Sequence, residues 1–272
     1  MNATPEANAN TVELNQLSPV LGVYVEGYPV SADNLDEAAR NIKNWLDRYL
    51  VVVLRQQNIG ASLQRDLVSR FGPLFLHHAD EGVLYVDGLP EVLEMRKEAD
   101  GTRLFGGSDW HADVTFRKPA GYASFLHARV LPPLGGDTAF ASCIAAFETL
   151  SPGLQSFLEN LQAVHSYDGP DAPDHPTETA IHPVVRVHPV SGKRGLYINR
   201  MFTRRFEGMT EAESRPLLEY LYAQMARTEL TFRHRWQAGD LVIWDNRFTL
   251  HYPINDFTGH PRLLHRCTAL EA

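Results

Sequence analysis

Residues 108–116 read SDWHADVTF, and the pair formed by His111 and Asp113 is the most informative feature of the chain. The segment is typical of the start of a strand, where residues two apart share a face and their Cα atoms lie roughly 6.5–7 Å apart. Metal–ligand bonds of about 2 Å allow both side chains to reach one ion across that gap. The segment therefore predicts two metal ligands on a strand.

A third ligand is expected from a distant part of the chain. Two histidines and one carboxylate form the facial triad of non-haem Fe(II) oxygenases, which leaves positions open for a cosubstrate and O₂. His251 is the candidate, because it follows the apolar segment DLVIWDN (240–246). Arg262 and Arg266 come next, and arginines in a core-facing strand are costly unless they meet anions. A guanidinium matches a carboxylate through two hydrogen bonds, so these arginines predict anionic ligands near the metal.

The rest of the chain consists mostly of short strand candidates separated by Gly, Pro, Asn and Asp. Apolar spacing predicts helices over 35–49 and 61–71. A capping-box pattern at Thr210 and Glu213 predicts another, which begins near Ser214 or bends because of Pro216. The fold class is mainly β with peripheral helices, a double-stranded β-helix or jelly roll. The strand candidates are 49–54, 121–130, 184–190, 195–199, 229–236 and 240–246.

Composition excludes several function classes. Lys and Arg number 25 and Asp and Glu 33, so the net charge is −8, which argues against nonspecific binding to nucleic acid or anionic membranes. The first residues lack the basic and apolar parts of a signal peptide, and no apolar run approaches the roughly 20 residues that span a bilayer. A cytoplasmic protein is expected, with a disordered tail over 1–12 and one domain over 13–272. Cys143 and Cys267 are expected to be buried, reduced thiols.

The sequence resembles the taurine dioxygenase-like family of Fe(II)/2-oxoglutarate-dependent dioxygenases. The matching segments are WHADVTF, LPPLGGDT, HPVVRVHPVSGK and WDNRFTLHYPIN…PRLLHRCT, and they follow the family's order across most of residues 20–268. The resemblance implies Fe(II), O₂ and the cosubstrate 2-oxoglutarate. It also implies His111, Asp113 and His251 as iron ligands, with Arg262 and Thr138 binding the distal carboxylate of 2-oxoglutarate.

The resemblance further implies a pocket for a small, acid-bearing substrate, such as a sulfonate, a carboxylate or an amino-acid derivative. Taurine-type enzymes have a tyrosine and an asparagine where this chain has Asp80 and Gly107, so taurine itself is not implied. The implied substrate contacts are Arg266 for the acidic group, His77 or its neighbour His78, the backbone N–H of Val114, and the rings of Phe116 and Phe202.

The implied reaction converts 2-oxoglutarate into succinate and CO₂ while a C–H bond of the substrate is oxidised, most simply by hydroxylation. Desaturation or cyclisation with the same cofactors stays open, whereas Asp113 argues against halogenation. From other classes, a metal-binding jelly-roll sensor or a zinc hydrolase would fit the metal ligands. Arg262 and Thr138 argue against a sensor, and no general base stands out for a hydrolase. Family relatives often form dimers or tetramers, so a homodimer or homotetramer is a further expectation.

Overall fold

The computed structural model describes residues 12–76, 84–101, 107, 109–167 and 178–272. Within these residues the chain forms sixteen strands and five α-helices. The strands are β1 (Glu13–Gln16), β2 (Val23–Glu26), β3 (Val51–Leu54), β4 (Leu84–Val86), β5 (Leu89–Lys97), β6 (Gly121–Val130), β7 (Thr138–Ser142), β8 (Gln162–Ser166), β9 (Thr179–Pro183), β10 (Val185–Val187), β11 (Arg194–Leu196), β12 (Thr203–Phe206), β13 (Thr231–His234), β14 (Leu241–Asp245), β15 (Thr249–Pro253) and β16 (Arg262–Leu270). The helices are α1 (Leu35–Tyr49), α2 (Ala61–Val68), α3 (Cys143–Glu148), α4 (Pro152–Leu158) and α5 (Glu211–Met225).

Two β layers enclose the centre of the molecule. The larger is an eight-stranded sheet with strand order β1-β2-β3-β14-β6-β16-β5-β4, and the smaller includes the three-stranded sheets β13-β7-β15 and β12-β8-β9. Phe140 of β7 packs against Trp244 of β14 across the gap, with ring centroids 5.6 Å apart. Two mainly antiparallel layers packed face to face form the double-stranded β-helix that the sequence predicts.

The alternation of side chains in the central strands explains why both faces of the large sheet are covered. In β3, Val51 and Val53 point into the core between the two layers, whereas Val52 and Leu54 join a second core. That second core contains buried residues of α1 and α2. Because successive strand residues face opposite sides, a strand covered on both faces reads as one continuous apolar run.

The helices follow the predicted positions with changes at their ends. Helix α1 spans the predicted residues and has Asp36 and Glu37 in its first turn and Arg48 in its last, which suits the helix dipole. Helix α2 ends at Val68, earlier than predicted, because the N–H groups of Arg70 and Phe71 bond to carbonyls three residues back. Thus the Phe71 N–H donates to the Val68 carbonyl.

Helix α5 begins at Glu211, directly after its N-cap residue Thr210, and the capping box forms its first turn. The Thr210 side chain accepts a hydrogen bond from the Glu213 N–H, and the Glu213 carboxylate accepts one from the Thr210 N–H. Of the two alternatives that the sequence leaves open, a start near Ser214 is therefore wrong. Pro216 lies inside the helix, where it removes one intrahelical donor.

The prediction of a strand over 108–116 is wrong for the residues that the structure describes there. His111 forms a single β-bridge with His251, and residues 113–116 form a turn. The extended conformation ends because Val114 adopts φ +58°. His111 and Asp113 are therefore brought together by a bridge and a turn rather than by the face of a strand.

The structure also tests the expected strand lengths, the state of the cysteines and the expectation that no segment spans a membrane. Strands β10 and β11 are shorter than the candidates 184–190 and 195–199, and a 3₁₀ turn over Thr228–Leu230 replaces the start of the candidate 229–236. Both cysteines are free and buried, as expected. In the described part of the chain, no helix has the length and apolar character to cross a membrane.

Candidate active site

The three predicted metal ligands meet between the two β layers. The backbone N–H groups of His111 and His251 each donate to the other's carbonyl, at 3.0 and 2.8 Å. Asp113 Oδ1 lies 3.8 Å from His111 Nε2 and 3.9 Å from His251 Nε2. One ligand atom from each residue lies within 4.8 Å of the other two, and all three side chains are buried. This spacing allows a single ion to contact all three.

The protonation states of these residues suit a metal ion. His111 Nδ1 lies 2.8 Å from the Asp109 carbonyl, which can only accept, so Nδ1 carries the hydrogen and Nε2 keeps its lone pair. Burial lowers the pKa of both histidines and keeps them neutral. Burial alone would raise the pKa of Asp113, but the Arg266 guanidinium, together with the hydrogen bond from Ser124, holds this pKa well below its usual range. Neutral imidazoles and an ionised carboxylate are the forms that bind metals.

A buried hydrogen-bond network fixes the orientation of Asp113. Ser124 Oγ donates to Asp113 Oδ2 at 2.6 Å, which leaves Oδ1 facing the histidines. Asn246 Oδ1 accepts from the Asp113 N–H and from Trp244 Nε1, while its Nδ2 donates to Ser124 Oγ. Such contacts orient ligands and tune a metal site. The sequence interpretation gave no role to Ser124 or Asn246, because both reach Asp113 only through the fold.

The two residues expected to bind 2-oxoglutarate, Arg262 and Thr138, both contact Trp236. Arg262 begins β16 and is 2% exposed, and burial lowers its pKa to about 9, which still leaves it charged at neutral pH. It packs closely over Gly136, which has φ +70°, and a Cβ on Gly136 would lie 3.3 Å from Arg262 Nε. Trp236 connects the pair, because its Nε1 donates to Thr138 Oγ1 at 3.1 Å and its ring lies 5.8 Å from Arg262 Cζ.

Three of the residues expected to contact the substrate form an apolar cluster next to Asp113. Val114, Phe116 and Phe202 are all buried and pack together with Phe75. The Phe202 ring lies 5.0 Å from Phe116 and 6.3 Å from His111, centroid to centroid. The cluster therefore reaches one of the metal ligands.

Arg266 provides the positive charge at this cluster. Its Nη1 lies 3.2 Å from Asp113 Oδ1. Arg266 and Leu270 lie on the same face of β16, since their separation is even, and Leu270 packs against the cluster. The position of His77, the remaining predicted substrate contact, lies outside the described residues, as does its alternative His78.

Val114 adopts a conformation that is unusual for its residue type. A β-branched side chain at φ +58° is a backbone outlier, and such outliers concentrate at functional sites. The close approach of β6 contributes, because a Cβ on Gly121 would lie 2.5 Å from the Asp113 carbonyl oxygen. Gly121 also donates its N–H to the Val114 carbonyl.

Comparison with known proteins agrees with this geometry. Residues 14–268 match the family described as "Taurine catabolism dioxygenase TauD, TfdA family". The chain belongs to the TauD, TfdA family. An alpha-ketoglutarate-dependent sulfate ester dioxygenase of Pseudomonas putida is 33% identical, over 96% of this chain and 90% of that protein.

Two further comparisons extend the similarity within the TauD, TfdA family. The alpha-ketoglutarate-dependent 2,4-dichlorophenoxyacetate dioxygenase of Cupriavidus pinatubonensis is 31% identical, over 96% of this chain and 98% of that protein. The crystal structure of a taurine dioxygenase from Burkholderia xenovorans superposes with a TM-score of 0.81 and 32% identity, covering 96% of this chain and 90% of that one. The protein is therefore an Fe(II)- and 2-oxoglutarate-dependent dioxygenase, an oxidoreductase, as the resemblance implies.

The donor set fits Fe(II). Two imidazole nitrogens and one carboxylate oxygen are the ligands of the facial triad, and neither Cys143 nor Cys267 lies in the cluster. The network behind Asp113 and the hydrogen bond on His111 Nδ1 supply the supporting contacts that such sites require.

Proposed function

We propose that the protein oxidises a C–H bond, most simply by hydroxylation, in a small substrate with an acidic head and an apolar body. The observation that carries this proposal is the placement of Arg266, 3.2 Å from Asp113 and beside a cluster of Val114, Phe116 and Phe202. One cation next to an apolar surface suits a molecule with one anionic group and a hydrocarbon or aromatic remainder.

In this proposal His111, Asp113 and His251 hold the iron. The two neutral histidines and the ionised aspartate match the ligands that Fe(II) prefers. When bound, the iron supplies the oxidising power together with 2-oxoglutarate and O₂. The contribution of the protein is to hold and orient the reactants and to keep water away.

Arg262 and Thr138 bind the distal carboxylate of 2-oxoglutarate in this proposal. A guanidinium and a hydroxyl are both suited to a carboxylate, and a charged hydrogen bond from a buried arginine is stronger than a neutral one. Trp236 holds Thr138 Oγ1 in place through its indole N–H. The hydroxyl accepts that bond, so its own hydrogen is available to donate to a carboxylate oxygen.

Arg266 binds the acidic head of the primary substrate in this proposal. The head group would then lie beside the iron ligand Asp113, with the Val114 N–H as a further candidate donor. The rings of Phe116 and Phe202 would contact the apolar body and exclude water. The reactions of the similar sulfate ester and 2,4-dichlorophenoxyacetate enzymes involve substrates of this kind, an acid joined to an apolar group.

An anaerobic titration tests this function. Metal-free protein receives Fe(II) and then 2-oxoglutarate, and the weak visible charge-transfer band of the chelate is recorded. Alkyl sulfates, aryloxyacetates and taurine are then added, each beside a neutral analogue such as the corresponding alcohol or methyl ester. We expect the band to form and to shift only with acids that carry an apolar group, and succinate to form when O₂ is admitted. Equal shifts with the neutral analogues would contradict the acidic head.

A further inference from the structure

The segment that follows Asp113 is held from three sides. Thr115 is 1% exposed, and its Oγ1 accepts a hydrogen bond from Asn199 Nδ2 at 3.0 Å. His182 Nε2 lies 2.9 Å from the Thr115 carbonyl and must be the donor, because a carbonyl only accepts. His165 Nδ1 lies 3.0 Å from Thr115 Oγ1. Three separate segments of the chain therefore converge on one residue of the turn 113–116.

Asn199 extends this network to the Phe202 side of the pocket. Its Oδ1 accepts from the Phe202 N–H at 2.8 Å, and its own N–H donates to Thr203 Oγ1 at 2.9 Å. Asn199 is 1% exposed, so these bonds form away from solvent. One buried side chain thus joins the turn next to an iron ligand to the segment that carries a pocket wall.

The direction of the hydrogen bonds is determined by counting hydrogens. The hydroxyls of Thr115 and Thr203 each accept an N–H from Asn199, so each needs an acceptor for its own hydrogen. His165 Nδ1 lies 3.0 Å from Thr115 Oγ1 and 3.4 Å from Thr203 Oγ1. When His165 is neutral and carries its hydrogen on Nε2, the single lone pair of Nδ1 accepts the hydrogen of the nearer hydroxyl, that of Thr115.

We propose that Thr115 and Asn199 are positioning residues that hold Val114 and Phe202 at a fixed spacing beside Asp113. A strained backbone persists only where its surroundings over-determine it, and the bonds on Thr115 restrain the residue directly after Val114. The hydrogen bond from the Phe202 N–H to Asn199 Oδ1 restrains Phe202 in the same way. These hydrogen bonds would set the distance between Val114 and Phe202 and thereby the alignment of the substrate's C–H bond.

This inference rests on the proposed function, because it assigns Val114 and Phe202 to the substrate pocket. The competing explanation is a buried polar network that stabilises the fold and has no particular effect on the pocket. The two explanations differ in the effect they predict for the loss of the Thr115 hydroxyl. A positioning role predicts a change at Phe202 and in the pocket, whereas a purely structural role predicts only a loss of overall stability.

Three variants separate these explanations. Thr115→Val removes the hydroxyl at nearly constant size, and Thr115→Ser restores it. Ser214→Ala is the matched control: Ser214 is fully buried, and its Oγ accepts from the Phe206 N–H at 3.0 Å and donates to the Thr210 carbonyl at 2.9 Å. The control removes a buried hydroxyl with two bonds, but one that makes no contact with the turn 113–116.

The first measurement is amide hydrogen exchange of the metal-free protein. We expect Thr115→Val to speed exchange at the Phe202 amide about tenfold or more, since Asn199 loses the bond that fixes its amide group. Thr115→Ser should stay within about twofold of the wild type. Ser214→Ala should leave this amide unchanged even if it lowers overall stability to a similar extent. Equal exchange at Phe202 in Thr115→Val and Ser214→Ala would overturn the inference.

The second measurement uses hexyl sulfate and 2,4-dichlorophenoxyacetate as probes, with succinate and oxidised product counted separately. Thr115→Val should raise the KM for the accepted probe about tenfold and form more succinate per product, while half-saturation by the cosubstrate stays unchanged. Coupled turnover like the wild type in Thr115→Val would overturn the inference. If wild-type protein forms no succinate with any acid, the proposed function fails, and the exchange measurement decides the inference alone.

Discussion

Arg266 Nη1 lies 3.2 Å from Asp113 Oδ1, the same carboxylate oxygen that faces both histidines of the metal cluster. The residue proposed to bind the substrate's acid is therefore in direct contact with a residue proposed to bind iron. This contact helps to keep Asp113 ionised although it is buried, because the guanidinium lowers its pKa against the effect of burial. In the proposed function, the same contact would place the substrate's anionic group next to the residue that holds the metal.

Arg266→Ala should uncouple the reaction. Without the guanidinium the substrate loses its charged anchor, so we expect 2-oxoglutarate to be consumed with little oxidised product. Succinate and product are measured in the same samples. Arg96→Ala, which removes a partly exposed arginine from the neighbouring strand β5, serves as the control. An unchanged ratio of product to succinate would make Arg266 structural.

Asp113→Ala should abolish iron-dependent succinate formation while the fold is retained. The variant removes the only anionic atom of the metal cluster, and we expect the affinity for Fe(II) to fall about a hundredfold or more. Anaerobic metal titration gives the affinity, and circular dichroism checks the fold. Asp33→Ala, at an exposed position, is the control. Succinate formation at wild-type rates and equal iron occupancy would exclude Asp113 as a ligand.

Arg262→Ala should raise the concentration of 2-oxoglutarate that half-saturates the enzyme about tenfold or more. A charge-assisted hydrogen bond contributes on the order of 1.5–3 kcal/mol, which corresponds to such a change. Steady-state succinate formation at varied 2-oxoglutarate gives the value, and the substrate's KM should change less. The Arg96→Ala protein again controls for the loss of an arginine. If the requirement for 2-oxoglutarate stays the same, the carboxylate is bound elsewhere.

The sequence predicts the fold class and the metal cluster because both can be inferred from residue types and their order along the chain. His111 and Asp113 lie two apart, and His251 follows a strongly apolar strand, so residue types and order were sufficient. The local conformation was not predictable in this way. A valine gives no sign of φ +58°, and the strand expected over 108–116 fails at Val114 for that reason.

The supporting residues could not be identified from their neighbours in the sequence. Ser124 reaches Asp113 from β6, and Asn199 joins Thr115 across 84 positions of the chain. Neither belongs to a local motif, because contacts between distant strands are determined by the topology of the sheets. The same holds for His165 and His182, which the structure places in the buried interior beside Thr115.

The stability of the protein should fall as the solution is made acidic, in part because of His127. This residue is 1% exposed, its Nε2 donates to the Gln57 carbonyl, and burial followed by the nearby Arg129 lowers its pKa to about 4. The usual value near 6.5 applies when the chain is unfolded. Above pH 6.5 both states are neutral and the residue adds no pH dependence. Between pH 6.5 and 4 only the unfolded state binds the proton, so stability is lost on acidification, by on the order of 2–3 kcal/mol.

His127→Gln should therefore weaken this pH dependence, because glutamine keeps a donor for the Gln57 carbonyl and does not titrate. The free energy of unfolding is measured by urea denaturation at pH 7 and pH 4.5 for both proteins. The loss between the two pH values should be smaller in the variant than in the wild type. His260→Gln, at an exposed position, should behave like the wild type. Since His182 and His265 also have pKa values lowered to about 4, mainly by burial, part of the acid sensitivity should remain. An identical loss in His127→Gln and the wild type would show that His127 binds a proton as readily in the folded state as in the unfolded one.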